Sequence, residues 1–194
     1  MFHPFSPIIE KNTTKLIIGT LPPEKSGFYY SNNSNNRLWD FLKGIYEKSE
    51  EIPTKSLKLS IEDKLSIIRE LKIGFTDIIL EYERENNSTL DSDIIPLRYR
   101  DIDTLILNSE ITELYFVYKN AAKWFLHSRK NLQPVKISKL NHFKIPDEKI
   151  FYSYELNGRI INAKVLPTPL NRFTKKGGLR EKYNIYKKYL GDNP

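Results

Sequence analysis

The apolar positions of this chain change period several times along its length. Short apolar runs bounded by polar residues or glycine predict strands over residues 15–19, 114–118, 135–137 and 160–166. Apolar residues spaced three and four apart predict amphipathic helices over 36–48, 61–71, 98–108, 120–128 and 179–190. Ser60-Ile61-Glu62-Asp63 reads as a helix start, with a hydroxyl to accept a first-turn N–H and acids beside the positive end of the helix dipole. Strands separated by helices imply an α/β fold with a mainly parallel sheet covered on both faces. No repeat, low-complexity tract or linker interrupts the chain, and residues 1–194 are expected to form one domain.

In such a sheet, ligands bind at loops leaving the C-terminal ends of strands. The loop after the first predicted strand, GTLPPEKSGFYYSNNSNN, suits a flat, polar, anionic partner. Tyr29 and Tyr30 offer stacking faces, Asn32, Asn33, Asn35 and Asn36 offer amides, and Thr20, Ser26 and Gly27 permit close approach to a phosphate. Stacking faces beside amides fit a nucleobase. Asp77 lies within the apolar run Ile73-Gly74-Phe75-Thr76-Asp77-Ile78-Ile79, so it is expected either to serve a pocket or to cap a turn or pair with Arg84.

The last predicted strand ends in Leu166-Pro167-Thr168-Pro169-Leu170-Asn171-Arg172, where two prolines stiffen a loop that presents Thr168, Leu170, Asn171 and Arg172. Lys175, Lys176, Arg180 and Lys182 follow, with Gly177 and Gly178 near a helix start, an arrangement that suits phosphate or forms an ordinary solvated basic face. The net charge of +7, from 31 Lys and Arg against 24 Asp and Glu, favours polyanions as partners. The absence of cysteine excludes disulfides, thiolate catalysis, zinc–thiolate sites and iron–sulfur clusters. Its three histidines, His3, His127 and His142, lack ligand spacing, so neither metal nor cofactor is expected. No run reaches the roughly 20 apolar residues of a membrane span. An intracellular protein, cytoplasmic or nucleoid-associated, acting as a monomer without membrane attachment, is the expectation.

Taken in order, GTLPPEKSGFYYSNNSNNRLWDFL, IGFTDII, STLD, ELYFVYKNAAKWF and VLPTPLNR resemble the uracil-DNA glycosylase superfamily, above all its mismatch-specific and hypoxanthine-DNA branches. The resemblance implies a three-layer α/β/α sandwich with a short, mainly parallel sheet. It also implies a monofunctional, metal-independent DNA glycosylase that hydrolyses the N-glycosidic bond of a deaminated or otherwise modified base flipped from DNA. In this alignment Leu21 stands where mismatch-specific relatives place a water-orienting Asn, and Leu166 where classical members have a catalytic His. Asn36 of Asn36-Arg37-Leu38-Trp39 becomes the candidate for holding water or base, with Asp77 the second catalytic candidate and Thr20, Leu21, Tyr29 and Tyr30 forming the base pocket. Leu170 matches the wedge that fills the space of the extruded nucleotide. Ser26, Thr168, Asn171, Arg172, Lys175 and Lys176 complete the expected DNA surface. The alternatives are a non-catalytic DNA- or nucleotide-binding protein on the same scaffold, and a hydrolase of free nucleotides.

Overall fold

Strand β1 (Lys15–Gly19) is buried along almost its whole length, and its alternating side chains divide between two cores. Leu16 and Ile18 enter one, Ile17 the other. The same alternation holds in β5 (Glu113–Phe116), where Leu114 and Phe116 face the first core and Tyr115 the second. A strand with both faces buried must be apolar nearly throughout, which explains why these segments show no polar face.

The computed structural model of the chain describes residues 1–22, 26–30, 35–53, 56–85, 90–171 and 178–191. Their central sheet has the order β2-β1-β5-β7-β6. β2 (Ile73–Asp77), β1, β5 and β7 (Arg159–Val165) run parallel, and β6 (Ile150–Leu156) adds antiparallel to β7. A separate antiparallel hairpin joins β3 (Ile79–Arg84) to β4 (Ile94–Tyr99). One face of the sheet is covered by α1 (Leu38–Tyr46), α2 (Ile61–Glu70) and α5 (Gly178–Leu190), through Phe41, Ile67 and Tyr186 among others. The other is covered by the hairpin, α3 (Ile102–Ile106) and α4 (Lys119–Ser128), through Ile94, Ile106 and Trp124. The architecture is the α/β three-layer sandwich expected from the alternation of elements.

The start of α2 follows the sequence reading closely. Ser60 Oγ accepts from Asp63 N at 3.0 Å while the Asp63 carboxylate accepts from Ser60 N at 3.1 Å, a reciprocal capping box. Three other expectations are corrected. The helix predicted over 98–108 is reduced to α3, because Ile94–Tyr99 pairs with β3 and Asp101 then caps a new start by accepting from Thr104 N. The strand predicted over 135–137 is absent: Ile137 begins a 3-10 turn and fills the core without a ladder partner. Strands β2, β3 and β6 were not among the expected strands; the side chains of β6 are mostly half-exposed at the sheet edge. Asn157-Gly158, both at positive φ (50° and 73°), turns β6 into β7 and is the signal that marks this hairpin.

The N-terminal segment covers the outer edge of β2 and reaches β3. Ile8 and Phe75 exchange backbone hydrogen bonds of 2.9 Å, and His3 N donates to Leu80 O at 2.8 Å. This occupies an edge that would otherwise expose ladder groups. It also delivers the His3 side chain to Asp77, at the C-terminal end of β2.

Gly19 closes β1 directly beside that carboxylate. A Cβ at this position would overlap the Tyr30 hydroxyl and Asp77 Oδ1. Gly19→Ala is therefore expected to destabilise the fold by about 1–3 kcal/mol, measured as a fall in Tm of about 2–4 °C for each kcal/mol. An unchanged Tm would show that the loop after β1 is free to move aside.

Candidate functional site

Because β1 lies between β2 and β5, the chain leaves β1 toward one side of the sheet and later returns on the other. Loops part at such a crossover and leave a crevice beyond the strand ends. A cleft of about 600 Å3 opens there. Its lining includes Tyr118 and Asn120 after β5, Leu166 and Leu170 after β7, Asp91 from the 3-10 turn before β4, and Lys182 of α5. This volume falls within the roughly 300–1,000 Å3 of small-molecule sites.

The loop after β7 is held from several sides. Tyr186 Oη donates to Pro167 O at 2.9 Å, and Lys182 Nζ donates to Leu170 O at 2.8 Å. Burial pushes the Lys182 ammonium below its ordinary range. Arg37 N donates to Pro169 O at 3.0 Å and Asn171 N to Asn35 O at 2.7 Å, so a β-bridge joins Asn36 to Leu170. Residues 35–37, which end the loop after β1, are thus backbone-bonded to the loop after β7, with the half-buried Leu170 side chain at the cleft.

Asn36 is buried just before α1. The expected helix over 36–48 begins instead at Leu38, whose N–H donates to Asn36 Oδ1 at 3.0 Å. Asn36 Nδ2 donates to the Tyr118 hydroxyl at 3.3 Å, which ties it to a residue of the cleft wall. Thr20 supplies a second tie: its hydroxyl donates to Asp91 Oδ1 at 3.0 Å, and Asn120 Nδ2 donates to Asp91 Oδ2 at 2.9 Å. Burial raises the Asp91 carboxyl above the usual carboxylate range, opposed by those two hydrogen bonds and by the Arg84 charge.

Other expected residues lie elsewhere. Tyr29 and Tyr30 do not present stacking faces: the Tyr29 ring packs among His3, Phe5 and Phe75, and Tyr30 packs between Phe75 and Tyr118. With 1 % and 5 % exposure, both are core aromatics that shape the wall from behind. Leu21 belongs to the core that also holds Ile78 and Trp124, rather than to the cleft lining. Asp77 is fully buried, accepting from Tyr30 Oη at 2.7 Å on Oδ1 and from His3 Nε2 at 2.8 Å on Oδ2. Neither pairing with Arg84 nor turn capping is its arrangement. Thr168 lines the cleft, Asn171 is exposed beside it, and Ser26 is half-buried in the first loop. Arg172, Lys175 and Lys176, with Asn32, Asn33 and Gly177, lie outside the described residues.

Asp91, Tyr118 and Asn120 are cleft residues that were not singled out as candidates from sequence, and Lys182, read there as one of a basic run, also lines the cleft. Asp91 lay within the STLD segment and Tyr118 within ELYFVYKN, but nothing local marks their convergence. A second, polar cleft of about 750 Å3 is formed by residues between Leu97 and Asp103 and between Phe125 and Pro134. Its charges are largely satisfied internally, with Arg129 paired to Asp103 and Tyr154 donating to the same carboxylate at 2.7 Å. Among the described residues no group of three or more His, Asp and Glu is placed to hold a metal ion. No described helix is long and apolar enough to cross a membrane.

Asp77→Ala leaves two buried donors without their acceptor. It is expected to cost about 1–3 kcal/mol for each donor, read in the urea unfolding midpoint; an unchanged midpoint would remove Asp77 from the account of stability.

Comparison with known proteins adds a fold-level finding. No protein-family model and no curated protein matches this chain. A solution NMR structure from Methanosarcina acetivorans, described as a "putative Uracil DNA glycosylase", superposes with a TM-score of 0.63 at 19% sequence identity. The match covers 96% of this chain and 94% of that one. The chain shares its fold.

Proposed function

We propose that this protein is a monofunctional DNA glycosylase that takes a deaminated or otherwise modified base into the cleft beyond β1, β5 and β7. The observation that carries this reading is the backbone bridge between Asn36 and Leu170 at the cleft. It fixes an apolar side chain on a proline-stiffened loop next to a cavity of base-accepting size. An apolar wedge is the device by which minor-groove proteins open a base step. A flipped base is then read at its edge by polar groups and held against apolar surface. Tyr118 and Asn120 supply polar groups here, and Val117, Val165 and Leu166 supply apolar surface. The solved relative's described activity and the net charge of +7 support the same reading.

Asn36 acts at this site through its amide, which donates to the Tyr118 hydroxyl and so orients that residue of the cleft wall. The mismatch-specific and hypoxanthine branches remain the preferred assignment within the superfamily; the segment Asn36-Arg37-Leu38-Trp39 favours the hypoxanthine branch, and Leu21 is a departure from the mismatch-specific one. Release of the base needs neither metal nor cofactor. The duplex is the substrate, and Thr168, Leu170 and Asn171 meet it, together with Ser26 and the basic residues Arg172, Lys175 and Lys176.

A second reading is favoured by one observation: Leu21 and Leu166 are apolar and buried, where relatives place a water-orienting amide and a catalytic histidine. Under it the protein binds duplex DNA or a nucleotide and performs no chemistry.

Incubation with duplexes carrying uracil, hypoxanthine, xanthine, mispaired thymine or modified cytosine, followed by alkali, separates the two. The glycosylase reading predicts strand breaks at the modified base, and binding without breaks supports the second. Asn36→Ala is expected to slow base release by roughly tenfold or more while leaving duplex affinity near that of the parent. Leu170→Ala is expected to slow release from duplex more than from single-stranded substrate, which has no stack to hold open. Equal losses on both substrates would contradict the wedge.

A further inference from the structure

Hydrolysis of an N-glycosidic bond requires a water held against the sugar, and the usual candidates in this chain are occupied or apolar. Leu21 and Leu166 cannot orient water. Asp77 is fully buried with both oxygens engaged. Asn36 spends its oxygen on Leu38 N and one amide hydrogen on Tyr118. An amide is also a poor base.

Asp91 differs from all of these. Its carboxylate lines the cleft, and the two side chains that hold it come from opposite sides of the crossover: Thr20 after β1 and Asn120 near the start of α4. Both donors are neutral, and each takes one lone pair of one oxygen. A carboxylate has about four lone-pair sites, so accepting capacity remains beyond these two bonds in a residue that lines the cleft. The three other acids lining the cleft are placed differently: Asp147 is exposed and paired with Lys119, Glu181 is exposed on α5, and Glu148 is half-buried before β6, where its backbone donates to Val165 O and accepts from the Tyr189 hydroxyl.

Resting on the glycosylase reading, we infer that Asp91 is the catalytic residue that holds and deprotonates the attacking water. The C1′–N bond breaks with its electron pair leaving on the base. The water oxygen forms the new bond to C1′, and its proton passes to the Asp91 carboxylate and on to the departing base or solvent. The water-holding group that Leu21 cannot supply from the first loop is thus supplied by the turn before β4 and tied to that loop through Thr20.

Desolvation dominates the titration of Asp91, and Asp77 pushes in the same direction; Asn120, Thr20 and the Arg84 guanidinium pull it back. Lys119, adjacent to Asn120, is engaged with Asp147 at 2.9 Å. The net displacement is upward, so the ionised, water-accepting form is present above a pH higher than the ordinary carboxylate value of about 4. The rate of base release should therefore fall as pH drops through that raised value.

The test is single-turnover base release by the full-length protein on whichever duplex of the panel the parent cleaves fastest, across pH, with duplex affinity and Tm measured alongside. Asp91→Asn keeps the shape and is expected to lower the rate by about 10²–10⁴-fold with little change in duplex affinity, and to abolish the acid limb. Thr20→Val leaves the carboxylate in place but removes one donor to it, and is expected to shift the acid limb to higher pH; this variant carries the test if Asp91→Asn fails to fold. A parent that cleaves, with Asp91→Asn close to its rate or Thr20→Val leaving the acid limb in place, overturns the assignment of Asp91 alone. A parent that cleaves no duplex of the panel overturns the glycosylase reading and this assignment with it.

Discussion

The cleft end of this protein is organised around a carboxylate that never meets solvent. Asp77 ends β2 with its two oxygens bonded to Tyr30 from the first loop and to His3 from the N-terminal segment. Burying a charge is costly unless its hydrogen-bonding capacity is met, so the loop and the segment are held against the strand ends together. The space for this arrangement exists because residue 19 has no side chain. Once Tyr30 is fixed, its ring packs on Tyr118 and Phe75. Asn36 then meets the Tyr118 hydroxyl and the backbone of the Pro167–Leu170 loop. The cleft is therefore shaped from behind by a buried polar cluster, whereas the groups available for chemistry face it from the other side.

Much of the fold was legible because it is written in local periodicity. Strands β1 and β5 read as short apolar runs, since both of their faces are buried. The capped start of α2 was visible in Ser60 and Asp63 alone. Failure came where tertiary contacts decided the outcome. Arg98 and Tyr99 fit a helical pattern but complete a strand paired with β3, and Val135–Ile137 fits a strand pattern but has no neighbour to pair with. The half-exposed β6 was missed although it is rich in apolar and aromatic residues, because these do not alternate cleanly with polar ones, and Asn157-Gly158 announces its turn.

The site was legible in its loops and much less so in its side chains. The Pro-Thr-Pro-Leu segment lines the cleft beyond the strand ends, and Asn36 reaches it only indirectly, through its bridge to Leu170 and its bond to Tyr118. Aromatic residues were read as stacking faces because sequence shows their chemistry and conceals their burial; Tyr29 and Tyr30 face inward, and Tyr118 is the tyrosine that reaches the cleft. Asp91 illustrates the opposite case. In sequence it is one acid among several in a polar loop, and its significance depends on partners 71 and 29 residues away. Such long-range convergence has no local signature.

The central claim is that the cleft beyond β1, β5 and β7 is where an extruded nucleotide enters. Amide hydrogen exchange of the protein, alone and with a duplex carrying a non-cleavable abasic-site analogue, tests it most directly. The account predicts new protection concentrated at residues 117–120 and 166–171 and around Asp91, with residues 97–103 and 128–134 of the second cleft unchanged. Protection centred on that second cleft, or none at the loop carrying Leu170, would contradict it.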